Sequence, residues 1–183
     1  MNETVTPTTN GWRETLRFFV IALAIVLPIR AFLAQPFIVS GLSMYPTFNN
    51  RDYLIVDEIT YRFRLPQRGE VIVFRPPHNK SFYIKRIIGL PGETVSIKGN
   101  QISITPAGSN QTTFVMEDNY GFGDINLDLS RHLQAGEYFV LGDNRQQSSD
   151  SRYWGPVQQS AIRGRAWLRL YPFNKIAYFP GQN

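Results

Sequence analysis

"EVIVFRPPHNKSFYIKRIIGLPGE", Glu70 to Glu93, reads as two strands separated by one turn and closed by another. "EVIVFR" (70–75) and "SFYIKRII" (81–88) are rich in the β-branched and aromatic residues that suit a pleated, half-buried surface. "RPPHNK" between them and "GLPGE" after them carry the Pro, Gly and Asn that tight turns require. The same grammar runs outward in both directions. Strands are expected at "DYLIVDE" (52–58), "TVSI" (94–97), "QISIT" (101–105), "EYFVLGD" (137–143), "AWLRLY" (166–171) and "KIAYF" (175–179). No helical period stands out between 50 and 160, so the body is expected to be all-β. The stretch from Thr105 to Gln134 is the polar exception, an inserted lobe or a long loop.

The chain has 183 residues, enough for one main core and an appendage. Apolar residues make up 43% and charged residues 18%, which excludes a disordered chain. There is no cysteine, so disulfides, thiolate metal sites and a Cys nucleophile are all excluded. The formal charge of +5 is dispersed, with no Lys/Arg run of the kind that tracks nucleic acid; a diffuse attraction to anionic lipid fits better.

Ahead of the β body lies "FFVIALAIVLPIRAFLAQPFIV", Phe18 to Val39, interrupted by Arg30, Gln35 and two prolines. A transmembrane helix needs about 20 mostly apolar residues. The uninterrupted apolar core, Phe18 to Ile29, also suits a signal-peptide core or a buried helix. A cleaved signal peptide should place small residues at −3 and −1 beyond the apolar core, but Ala34 has Phe32 two residues before it. An uncleaved anchor is therefore the better reading. Arg13 and Arg17 precede it, which favours an N-terminus inside and the remainder outside.

Candidate chemistry is found by elimination. The two histidines, His78 and His132, belong to no metal-ligand spacing, and no Gly-rich phosphate loop is present. Composition permits a Ser-His-Asp triad, yet neither histidine sits in a context that suggests one. A serine hydroxyl without a histidine can be activated by a lysine kept neutral through desolvation. Of four lysines, Lys80, Lys98 and Lys175 lie in turns or near the C-terminus, whereas Lys85 is flanked by Tyr83, Ile84, Ile87 and Ile88. Lys85 and Arg86 must leave their strand on opposite faces. Whether Lys85 meets a cleft or snorkels to water is left open by the residues themselves.

"SGLSMYPTF" (40–48), "RGEVIVF" (68–74), "YIKRIIGLPGE" (83–93) and "GDNRQQSSDSRYWG" (142–155) occur in this order behind an apolar segment. Together they resemble bacterial type I signal peptidase, the membrane-anchored Ser-Lys endopeptidase that removes signal peptides. The resemblance implies a mainly β fold: one N-terminal transmembrane helix followed by an antiparallel β-sheet or partly open β-barrel catalytic domain with a small polar insertion. It implies Ser43 as nucleophile and Lys85 as general base. It also implies Ser148 as a hydrogen-bond partner that orients the lysine, and Asp143, Asp150 and Arg152 as braces. The backbone N–H of Ser43 should meet the oxyanion. Where some members carry a serine hydroxyl two residues before the nucleophile, this chain has Gly41, with Ser40 one residue further back. The second donor is then a backbone N–H or a water. Phe37, Val39, Met44, Tyr83 and Ile84 are expected at the substrate strand or its pockets, which would select small residues at −1 and −3. Phe48 and Glu93 are mild departures from the family pattern.

The expected organisation is a cytoplasmic segment at 1–17, an anchor at 18–37 and a peptidase domain at 38–183 with an insertion near 105–134. No cofactor or metal is expected. The expected partners are exported preproteins and the lipid bilayer, with no nucleic acid; the expected form is a monomer with its catalytic domain on the outer, periplasmic or luminal, face. Two other classes compete: a tethered β-domain that binds exported chains without cleaving them, and a self-cleaving Ser-Lys peptidase related to repressors. The second should carry a DNA-binding helical domain that this sequence lacks.

Overall fold

The computed structural model describes residues 11–28, 34–76, 79–109, 114–116 and 127–181. Its body is built from antiparallel strands in two sheets. The larger contains β1 (Ala34–Ile38), β2 (Tyr53–Asp57), β3 (Val71–Phe74), β4 (Tyr83–Gly89), β9 (Glu137–Leu141), β10 (Val157–Gln158), β11 (Ile162–Tyr171) and β12 (Ala177–Tyr178). Their spatial order is β1-β2-β11-β3-β4-β9-β10, with β12 on β11. The smaller sheet contains β5 (Thr94–Gly99), β6 (Gln101–Thr105), β7 (Phe114–Met116) and β8 (Leu127–His132) in the order β7-β6-β5-β8.

The strands expected around Glu70–Glu93 are present, and they form a hairpin in which Val71 pairs with Arg86 and Phe74 with Tyr83. β3 is buried on both faces, so its residues read as a continuous apolar run rather than an alternation. Ile72 and Phe74 join Ile87, Tyr138 and Val140 in one core cluster, while Val71 joins Met44, Phe48 and Leu54 in another. A third cluster lies between the sheets and holds Ile88, Val95, Ile97, Ile104, Phe139 and Leu141.

Three expectations are narrowed or changed in the structure. Of the two readings of the polar stretch 105–134, an inserted lobe or a long loop, the described residues fit the lobe. Among its described residues β7 and β8 complete the smaller sheet, with Ser96 opposite both Ser103 and Ser130. β8 was hidden because only Leu127 and Leu129 of "LDLSRH" pack inward, leaving the other residues exposed. The apolar segment differs too: helix α1 runs Gly11–Pro28, starting earlier than the expected 18, and Ala34–Ile38 is strand paired with β2. The anchor boundary of 18–37 therefore gives way to a helix that ends by Pro28 and a strand that begins at Ala34, while residues 29–33 lie outside the described residues. Among the described residues no helix is long and apolar enough to cross a membrane. Finally, of "KIAYF" only Ala177–Tyr178 is strand, β12, and its Lys175 closes a short 3₁₀ turn that runs Phe173–Lys175.

The turn after β1 is fixed from below. Met44 and Phe48 are fully buried, and the Phe48 N–H donates to the Met44 carbonyl at 2.8 Å. Arg169 of β11 donates to the Thr47 carbonyl at 2.8 Å. Phe48→Ala is expected to lower stability by about 3–5 kcal/mol, the usual cost of emptying a phenylalanine site. Urea denaturation of the two proteins measures it.

Candidate active site

Ser43 stands on the turn that Met44 and Phe48 pin to the core, so its own half-buried side chain is left at the lip of a cleft. Its carbonyl accepts the Asn144 N–H at 3.0 Å, which ties the turn to the loop after β9. Lys85, in the middle of β4, extends its Nζ to within 2.6 Å of Ser43 Oγ. The lysine is only 4% exposed, so the snorkelling alternative is wrong for this residue. Arg86 leaves by the other face and is equally buried.

Burial pushes the Lys85 ammonium down to about 8 from an ordinary 10.5. The Asp150 and Asp143 carboxylates oppose that shift, and the Arg152 guanidinium assists it. Neither carboxylate bonds the lysine, because each is engaged elsewhere. Asp143 accepts from Arg86 Nε at 2.8 Å, Arg86 Nη2 at 2.5 Å and Thr47 Oγ1 at 2.5 Å. Asp150 accepts from Arg152 Nε at 2.7 Å and from the Gly142 N–H at 3.1 Å, and it caps α2 (Ser151–Trp154) through the Arg152 N–H. Arg152 in turn donates to the Arg145 carbonyl at 2.7 Å. Asp143, Asp150 and Arg152 thus bond to one another or to neighbours around the loop, and Lys85 is left hydrogen-bonded to Ser43.

Ser148 is also brought to the site, yet its expected hydrogen bond to Lys85 is not made. Its buried Oγ has no hydrogen-bond partner and lies against Gly142. A Cβ at Gly142 would collide with both Ser148 Oγ and the Ser43 carbonyl oxygen, so only glycine fits between them. Sequence reasoning missed Gly142, Thr47 and Arg86. The signals available were the glycine that opens "GDNR" and the arginine adjoining Lys85.

A cleft of about 460 Å³ opens beside Ser43 and Lys85. Of the expected substrate contacts, Phe37, Val39, Tyr83 and Ile84 line it, as does Ser40. Met44 does not; its side chain is core. Phe37 packs edge-on to Phe82 at 5.3 Å between ring centres. The Gly41 N–H is taken by Asn50 Oδ1 at 3.0 Å, so it is already committed in this structure. His132 bonds Thr94 on the smaller sheet, and His78 lies outside the described residues. Among the described residues no three His, Asp or Glu side chains gather as a metal site.

The profile of the family described as "Signal peptidase, peptidase S26" matches residues 12–171. The chain belongs to this family. It is 35% identical over 93% of its length to a probable signal peptidase I-2 of Synechocystis, covering 78% of that protein. It is 35% identical over 89% of its length to a signal peptidase I of Leptolyngbya laminosa, covering 81% of it. It is 31% identical to one of Bacillus licheniformis, over 91% of this chain and 92% of that one. The signal peptidase match spans every residue of the site, from Phe37 to Arg152.

A buried lysine with a depressed pKa costs stability wherever it is charged. Below pH 8 both the folded and unfolded proteins carry the charge, and the shift from 10.5 to about 8 corresponds to roughly 3 kcal/mol. The cost shrinks as pH rises through 8 and is gone above 10.5. Lys85→Met is therefore expected to stabilise the protein by about 1–3 kcal/mol at pH 7, with no gain near pH 11. Urea denaturation at the two pH values tests this; destabilisation at pH 7 would contradict it.

Proposed function

We propose that this protein is a membrane-anchored endopeptidase that removes N-terminal signal peptides from exported preproteins, with Ser43 as nucleophile and Lys85 as general base. The observation that carries the reading is the 2.6 Å approach of Lys85 Nζ to Ser43 Oγ inside a buried site. Family membership supplies the substrate class: the relatives it matches are signal peptidases.

In the first half-reaction Ser43 Oγ adds to the scissile carbonyl carbon, and its proton passes to neutral Lys85. The Ser43 N–H steadies the oxyanion; Ser40, on the cleft wall, or a water is the candidate second donor. The resulting ammonium protonates the departing amine, leaving an acyl ester on Ser43. Water then attacks the ester, Lys85 takes the water's proton and returns it to Ser43 Oγ as the ester bond breaks, and the released signal peptide carries the new carboxylate. Every proton that moves has Lys85 as its station, which is why the depressed pKa matters.

The substrate would bind as an added strand. Tyr83–Lys85 lack a β9 partner, since β9 pairs with β4 only from Arg86 onward, and β1 forms the edge of the larger sheet. Main-chain bonds along these edges would give affinity, while Phe37, Val39, Tyr83 and Ile84 would shape pockets for small residues at −1 and −3. Ser148 would support the lysine after a rotation of its side chain that brings Oγ within reach of Nζ.

The anchor is the remaining part of the proposal. α1 presents Phe18, Phe19, Leu23 and Ile25 with more than half of each exposed, an apolar surface that lipid would cover. A cytoplasmic N-terminus, a catalytic domain on the outer face and a monomeric state complete it. Extraction of membranes with alkaline carbonate should leave the protein in the pellet; release into the supernatant would remove the anchor from the reading.

Cleavage of a preprotein in detergent by wild type, Ser43→Ala and Lys85→Ala tests the dyad. Both variants are expected to lose at least about a thousandfold in kcat/KM. Wild-type turnover by either would disprove the dyad, and an inactive wild type would favour a binding module. The base must be neutral to act, so kcat/KM should fall about tenfold per pH unit below a pKa near 8. A flat acid limb would contradict a lysine base.

A further inference from the structure

The chain returns to the site at its other end. After β12, the Phe179 N–H donates to the Trp167 carbonyl at 2.7 Å, and Arg165 stacks over the Phe179 ring with its guanidinium carbon 4.7 Å from the centre. Pro180 is buried. Gly181 then places its carbonyl on Arg86 Nη1, the same nitrogen that donates to the Gly69 carbonyl at 2.9 Å. Gly181 has φ +82°, and a Cβ there would stand 2.5 Å from Thr47 Cγ2 and 2.9 Å from Arg86 Nη2.

These contacts form one chain of bonds toward the nucleophile. The tail carbonyl receives Arg86; Arg86 holds Asp143 through Nε and Nη2; Asp143 receives the Thr47 hydroxyl. Thr47 is four residues after Ser43, on the same turn, and Asn144, next to Asp143, donates to the Ser43 carbonyl. A guanidinium buried to 0% exposure has no water to fall back on, so each acceptor it loses leaves it free to reorient. Arg86 keeps Nε and Nη2 on Asp143 while its third nitrogen donates to the Gly69 and Gly181 carbonyls.

We propose that residues 179–181 act as a clasp, with the Gly181 carbonyl positioning Arg86 and, through Asp143 and Thr47, the turn that carries Ser43. These are positioning residues: none touches the cleft, and the inference rests on the Ser43–Lys85 reading. The clasp accounts for a tail that ends a strand, turns through Phe179 at φ +44° and threads between Thr47 and Arg86 instead of continuing along β11. Its effect falls on the placement of the nucleophile, hence on kcat, and not on the edges that would hold the substrate.

Gly181→Ala tests it, because the added methyl must displace either Thr47 or Arg86. With a preprotein substrate, kcat should fall at least tenfold while KM stays within twofold; the strain of a side chain at φ +82° lowers Tm as well, so kcat is read well below the Tm of the variant. The double variant Thr47→Ser/Gly181→Ala removes the methyl that the new Cβ meets and keeps the hydroxyl for Asp143. It should recover kcat at least threefold over Gly181→Ala, a rescue that a merely structural tail would not show. Wild-type kcat in Gly181→Ala, a loss carried by KM, or no recovery in the double variant would overturn the clasp. Ser43→Ala and Lys85→Ala measured alongside separate the two questions: turnover by them would refute the dyad, whereas their inactivity beside a normal Gly181→Ala refutes only the clasp.

Discussion

The structure depends on a lysine kept out of water. A lysine can take a proton from a serine only when it is neutral, and burial, which outweighs two nearby carboxylates, makes Lys85 easier to deprotonate than a free lysine. That constraint shapes its surroundings. Asp143 and Asp150 must be present to brace the loop, but each must be occupied by an arginine so that neither draws the lysine into an ion pair. The two buried arginine–carboxylate pairs are thus better understood as a means of holding a loop without disturbing a base than as a source of stability, which buried pairs seldom provide.

The same constraint accounts for how the strands are used. β3 and β4 are buried on both faces, so Lys85 and Arg86, adjacent in sequence, enter protein on opposite sides of one strand. One reaches Ser43 directly; the other reaches its turn through Asp143 and Thr47. A single strand therefore sets both the chemistry and the support of Ser43. It can do this because the turn after β1 is anchored by Met44 and Phe48 and does not need its other side chains for packing.

Much of this was legible in the sequence where local pattern decides it. Alternation and turn residues marked β2 through β6 and β9, because those strands carry their apolar residues in short runs between Pro, Gly and Asn. β8 was illegible, since only two of its six residues face the core. β1 fell at an overlap: the anchor was expected to reach residue 37, while "QPFIVSGLSM" (35–44) also reads as an extended edge, and pairing with β2 makes Ala34–Ile38 strand. At the site, Ser43 and Lys85 could be named from motifs, but the burial of Lys85 could not, because a lysine between isoleucines can snorkel as readily as it can enter a cleft. Met44 was misplaced for the converse reason: its position next to the nucleophile suggested a pocket, whereas the turn directs it inward. Gly142 and Gly181 act by close approach to residues far away in sequence, which no local pattern reports.

The most direct test is the titration of Lys85 itself. With only four lysines in the chain, the Nζ or Cε resonances of labelled lysine can be followed by NMR and assigned by Lys85→Met. Lys85 is expected to titrate near 8. A Lys85 that titrates at the ordinary 10.5 would contradict the account, because burial would then not have eased the loss of its proton.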